Sequence, residues 1–423
     1  MLHRLLWIEP FWLLGLAPLI LFPGRLLPAA WQPGVVMALF AFWPLRWLHW
    51  RIANGRWIVP LQTPISLAIL LILFWLPVNI WAAVDAVRAW ESAGYLLIGV
   101  TLFVALVNWP PMQRCPQRLA WLLIGFASAL ALVGPLLMTG ESGTPGALLA
   151  LQRVAAPLTA RLGETINPNI LANALLVVAP LPLALALRRD WTARRWLPWL
   201  LGVIGLFLVG VIVLTRSRGS LLALGAMLPL LFVLRYPRLL APMLLAFLLG
   251  GALAYWLLPA SFYEDLFTTS TVGGLDERIE IWSRALYAIQ DFAFTGVGIG
   301  AFDQVIPLLY PYFLISPAVT IPDAHNHFLQ VAIDLGIPGL LAYVAIILTI
   351  FWMLGVMVRA RRHALRWALA SGLLASYVGM LVGGVFSAIN WSYKLGFLSW
   401  LLLALSALLY LQHCRQAGAD AKP

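Results

Sequence analysis

Apolar runs of roughly the length that spans a bilayer, about 20 residues, recur from one end of the chain to the other. They lie at 7–22, 33–48, 63–84, 93–109, 118–138, 168–187, 197–214, 219–234, 238–258, 333–358, 366–389 and 394–412. Short polar or basic segments separate most of them, with two long gaps, roughly 139–167 and the larger 259–332. This pattern predicts an all-α, polytopic integral membrane protein with about twelve transmembrane helices. It divides the chain into nine helices over 1–258, a large loop over 259–332, three helices over 333–412 and a tail over 413–423. The tail after Cys414 is expected to be disordered. Met1 to Arg4 and the apolar run behind them resemble a secretion signal, but no small-x-small site precedes Pro23 and Arg25. The run is therefore kept as the first helix.

Composition agrees: 62% of the 423 residues are hydrophobic and 10% charged. The net charge of +11 does not indicate nucleic acid, because the basic residues sit at helix ends rather than in a basic domain. With the N-terminus inside, the outward segments hold only Arg25, Arg88, Arg153, Arg161, Arg216, Arg218, Arg278, Arg284 and Lys394 of the 27 basic residues. The positive-inside rule then places both termini in the cytoplasm. Cys115 and Cys414 also fall inside, where no disulfide is expected. Tryptophans near helix ends, such as Trp43, Trp47, Trp196 and Trp199, read as an interfacial belt.

Arg216 and Arg218, in "TRSRGS" at 215–220, stand on the side where topology does not call for arginine. Arg218 precedes an apolar run and so marks the outer N-terminus of a helix, where free N–H groups and the dipole attract anions. Guanidinium groups there suit a phosphate. Snorkelling into lipid headgroups is the competing reading.

In the long loop, "DERIEIWSRALYAIQD" (276–291) spaces Ile279, Trp282, Leu286 and Ile289 as an amphipathic helix at the membrane surface. Asp276 is a candidate N-cap, and Glu280 a partner for Arg284 four residues on. Arg278 has no such obvious partner, although an ordinary salt bridge would also explain it. "PDAHNHFLQVAIDLGIPG" (322–339) leads into the tenth helix. Capping by Asp323 would set His325 near the positive end of that helix, where a neutral imidazole can serve as a general base. His325 and His327 as a structural pair at the water interface is the alternative. A metal site built from them with Asp323 is disfavoured, because i, i+2 positions on a helix point apart. "TGVGIG" (295–300) is read as a tight turn, since no strand precedes it and no Gly-Lys-Ser follows. Glu164 with Asn167 and Asn169 reads as a polar loop entering the sixth helix.

Three stretches together, "TRSRG" (215–219), "ERIEIWSRALYAIQDFAFTGVGIGAF" (277–302) and "HNHFLQVAIDLGIPGLL" (325–341), resemble the O-antigen ligase and polymerase superfamily of bacterial envelope glycosyltransferases. The resemblance covers about the second half of the chain. "DFAFTG" departs from relatives that carry a proline before the glycine turn. The "HNxxL" pattern falls on His325, Asn326 and Leu329, leaving His327 as an extra histidine.

The resemblance implies a GT-C-like, metal-independent, inverting glycosyltransferase of the bacterial inner membrane with a periplasmic active site. Its substrates would be an undecaprenyl-diphosphate-linked glycan and an acceptor hydroxyl on lipid A core or on a growing glycan, without cofactor or nucleic acid. His325 would be the base, and Arg218 and Arg278, assisted by Arg216, would hold the diphosphate, with Asp323, Asn326 and His327 in support. Polymerisation and protein glycosylation are alternatives within the superfamily. A lipid-linked glycan flippase is more distant, because its polar residues belong at mid-membrane on broken, duplicated helices.

Overall fold

The computed structural model describes residues 5–55, 62–138, 146–162, 165–188, 190, 195–257, 275–361, 363–388, 391 and 393–420. Glu164, the first part of the long loop (259–274) and Lys422 lie outside them. The described residues fold almost entirely into helices, and nine of these are long and apolar enough to cross a membrane. The chain is an integral membrane protein.

The expected twelve spans are not all found among the described residues, and the difference lies in the first eighty residues. Helix α1 (Glu9–Leu21) has 13 residues and contains Pro18. At about 1.5 Å per residue it reaches roughly 20 Å, short of the roughly 30 Å hydrocarbon core. The run at 33–48 is two helices, α2 (Gln32–Ala38) and α3 (Trp43–Asn54), with Pro44 in the first turn of the second. Proline has no N–H to continue a helix but suits its start, so the chain breaks there. Helix α4 (Ser66–Ala82) has 17 residues and a further proline, Pro77.

The bundle proper begins with α5 (Ala86–Val107), capped by Asp85, whose carboxylate accepts from the N–H groups of Val87 and Arg88. It continues through α6 (Gln117–Leu137), α7 (Gly146–Leu162), α8 (Pro168–Val178), α9 (Pro180–Ala186), α10 (Leu197–Leu214), α11 (Arg218–Arg235) and α12 (Leu240–Leu257). Then come α13 (Leu275–Asp291) and α14 (Phe302–Leu309), and the bundle closes with α15 (His327–Ala360), α16 (Ala364–Gly384) and α17 (Phe397–Asp420). The tail expected to be disordered after Cys414 instead continues α17 as helix to Asp420. Helix α16 lies between α11 and α9 on one side and α15 on the other, and α17 packs along α5.

Helix α13 forms where the pattern predicts, and part of the predicted stripe packs. Ile281, Ala285 and Ala288 are buried, with Trp282 and Ile289 half-buried against them, whereas Ile279 and Leu286 are 52% and 50% exposed. The alanines let α13 approach α15 closely, and Ile279 and Leu286 of the predicted face turn outward. Asp276 lies inside the first turn rather than ahead of it. With Phe302, Val305, Ile306, Ile315, Ile321 and Ala324, the buried stripe forms a second small core apart from that of the bundle.

This cap is fastened to a break in α15. Gly336 has φ 68° and ψ −176° inside the helix, two residues before Pro338. The glycine turn fills the gap: Val297 N–H donates to Ile333 O at 2.8 Å and Ile337 N–H to Ala293 O at 2.7 Å. From α4, the Trp75 Nε1–H donates to Leu335 O at 2.9 Å and the Asn79 amide to Thr295 O at 2.5 Å. Glycine is required on both sides of this junction. A Cβ at Gly296 would stand 2.4 Å from Ile333 O, and one at Gly336 2.3 Å from Phe294 O.

Candidate active site

"TRSRGS" makes the turn from α10 into α11. Its residues alternate: Thr215, Ser217 and Ser220 are buried, and Arg216 and Arg218 are exposed. Thr215 Oγ1 donates to Ile212 O at 2.6 Å, and Ser220 Oγ donates to Ser217 Oγ at 3.1 Å. These small hydroxyls close the turn so that the arginines project from it. Arg218 is the first residue of α11, as expected. Arg216 adopts left-handed backbone, φ 56°, a conformation that costs a β-carbon residue on the order of 1–3 kcal/mol and collects at functional sites. Among the described residues only two other non-glycines share it, and one is His325.

Arg278, on α13, donates to Phe386 O at 3.1 Å and lies over the Phe386 ring at 5.7 Å. Gly219, next to Arg218, packs its α-carbon face against Phe386 Cβ. The residues just after α16 thus form a platform joining "TRSRGS" to α13. Burial lowers the Arg278 pKa from its ordinary value, the nearby charge of Arg218 lowers it further, and Asp323 opposes both. The three motifs, far apart in sequence, share one electrostatic neighbourhood.

The segment before α15 corrects the expected cap. Asn326 is the N-cap, its side chain accepting from Phe328 N–H at 3.0 Å and Leu329 N–H at 3.1 Å. Asp323 is engaged elsewhere: Oδ1 accepts from His325 N–H at 2.7 Å and stands 3.3 Å from His325 Nδ1. Oδ2 accepts from the Tyr393 hydroxyl. Since Nδ1 faces the carboxylate, Nε2 is the nitrogen left for a substrate. The His325 side chain is 31% exposed and Asp323 is buried.

His327 goes to a different place. It is buried against Phe328, Tyr343 and Trp391, and neither ring nitrogen has a hydrogen-bond partner among the described residues. The two histidines do not converge on one ligand, and no group of three or more metal-ligating side chains occurs among the described residues.

Glu280 does meet Arg284, at 3.4 Å, but its closer partners are the N–H groups of Phe313 at 2.6 Å and Leu314 at 2.9 Å. The pair therefore shapes the cap rather than the site. Arg88 of α5 grips Asp303 with both carboxylate oxygens, at 2.6 and 2.7 Å, tying the first half of the chain to the cap. Phe386 and Tyr393 carry no recognisable motif in the sequence.

Residues 203–344 match the family model described as O-antigen ligase. The match covers about a third of the chain and takes in both arginines of "TRSRGS", Arg278, Asp323 and the two histidines. No curated protein matches the chain. The O-antigen ligase match supports a glycosyltransferase-like enzyme, and that family implies lipid-linked glycan substrates. It begins within α10 and ends within α15, so it spans both the cap and the turn that bears Arg216 and Arg218.

Proposed function

We propose that the protein transfers a glycan from undecaprenyl diphosphate to an acceptor hydroxyl, as an O-antigen ligase acting at the periplasmic face of the bacterial inner membrane. The observation that carries this is the convergence of Arg218, Arg278 and the Asp323-linked His325 at one end of the bundle. In the reaction, His325 Nε2 takes the proton of the acceptor hydroxyl while its oxygen bonds to the anomeric carbon. The bond from that carbon to the diphosphate oxygen breaks with inversion, and the electron pair leaves on the diphosphate. Arg218 and Arg278, assisted by Arg216, neutralise this developing charge. The imidazolium then returns its proton to solvent or to the released diphosphate. Each step uses side chains alone and needs no cofactor.

Two cations held near each other favour a multiply charged anion, which relieves the repulsion between them. A diphosphate has that charge, and guanidinium forks match its oxygens. The test is to give purified protein a polyprenyl-diphosphate-linked glycan with one acceptor at a time. Transfer to lipid A core is the expected result. Elongation of the lipid-linked glycan with no core present would make the protein a polymerase, and transfer to a polypeptide a protein glycosyltransferase. Movement of intact lipid-linked glycan across a vesicle membrane without transfer would overturn the reading in favour of a flippase.

A further inference from the structure

Asp323 divides its two oxygens between His325 and Tyr393, a residue 70 positions away in the sequence. We propose that Asp323 is the positioning residue of the proposed base, and that Tyr393 sets how strongly Asp323 acts on it. This rests on His325 being the base.

The geometry assigns the parts. Asp323 Oδ1 meets both the backbone N–H and Nδ1 of His325, which fixes the ring and presents Nε2 to the acceptor. That double contact also holds the left-handed backbone of His325, φ 46°, which would otherwise relax. A carboxylate on Nδ1 stabilises the imidazolium that forms when Nε2 takes the acceptor's proton. The Tyr393 hydroxyl, donating to Oδ2, shares that negative charge. Burial and the neighbouring Asp323 both raise the Tyr393 pKa, so its hydroxyl keeps its proton and donates throughout the working range. The other charged groups that act here are Arg278, which interacts with Asp323 and itself lies near Arg218, and Asp334 and Asp303, which act on Tyr393.

The two partners therefore push in opposite directions, and the pH profile of kcat/KM reads this. Its acid limb reports protonation of the base in the free enzyme. In Asp323→Asn the neutral amide no longer favours imidazolium, so the limb moves to lower pH. The rate falls on the order of 10²–10⁴-fold, the contribution of a general base. In Tyr393→Phe the ring and its packing remain but the shared hydrogen bond is gone, so the limb moves to higher pH. The rate falls about fivefold, the worth of one ordinary hydrogen bond.

Should Asp323→Asn fail to fold, the direction of the limb in Tyr393→Phe carries the test by itself. Loss of rate in both variants with the limb unmoved would make Asp323 a structural residue and overturn the inference. His325→Ala run alongside separates the two levels. If it keeps wild-type transfer, the base assignment is wrong and the inference goes with it. If it is inactive while the limb stays fixed in the other two, only the inference falls.

Discussion

Both ends of the helix bundle gather arginines, and they use them differently. At the end away from the site, Arg235, Arg366 and Arg188 have protein partners that account for them. Arg235 donates to Leu187 O at 2.9 Å and lies over Tyr236 and Trp367; Arg366 contacts His413 and Gln416; Arg188 pairs with Asp190 at 2.7 Å. The contacts of Arg235 and Arg366 join α11 to the end of α9 and α16 to α17. At the site end, Arg278 has a carbonyl and a ring beneath it, and Arg218 is near enough to disfavour its charge. Arg278 rests on a carbonyl and a ring much as Arg235 does, but it shares its neighbourhood with a second cation, the pair that the proposed function assigns to the diphosphate. That contrast, more than their number, separates orientation in the membrane from chemistry.

The largest expected effect lies at the base. His325→Ala should lose about 10²–10⁴-fold in kcat with expression and thermal stability unchanged, because its partly exposed ring contributes little packing. His327→Phe should retain most of its activity, since the site of that ring is an aromatic pocket. Equal losses in the two variants, measured with a lipid-linked donor, would erase the distinction between an open and a buried histidine.

The smallest effect is expected at the opposite end. Arg235→Lys gives up one carbonyl hydrogen bond and two ring contacts far from the reacting atoms. Transfer should change by no more than about twofold to threefold, with the loss appearing in thermal stability instead. A large fall in kcat at unchanged stability would mean that this end also takes part in the reaction.

Sequence pattern alone reached the helical class and named the candidate site residues, because "TRSRG" and "HNxxL" are local motifs whose chemistry depends on residue type. It did not reach the partners that organise them. Tyr393 meets Asp323 across 70 residues and Phe386 meets Arg278 across 108, and neither belongs to a motif. The early helices were misjudged for a different reason. Pro44 and Pro18 lie inside runs that are mostly apolar, and hydropathy does not register a missing N–H. The same applies to Gly336 and Pro338, visible in "LGIPG" as punctuation but not as a break filled by the 295–300 turn. Asn326 took the cap because Asp323 was already engaged with Tyr393, a fact only the folded chain contains.

The claim that two arginines near one another hold a diphosphate leaving group is tested most directly by exchanging each for lysine. Lysine keeps the charge but lacks the planar fork, so a lipid-headgroup anchor would be nearly indifferent to the change. Transfer rates of Arg218→Lys, Arg278→Lys and the double variant should be measured from a polyprenyl-diphosphate-linked sugar at matched expression. Each single variant should lose roughly a hundredfold, as when one preorganised donor to a developing charge is removed. The double variant should lose less than the product of the two, because both act on one leaving group. Wild-type transfer by Arg218→Lys, or strictly multiplicative losses, would contradict the shared clamp.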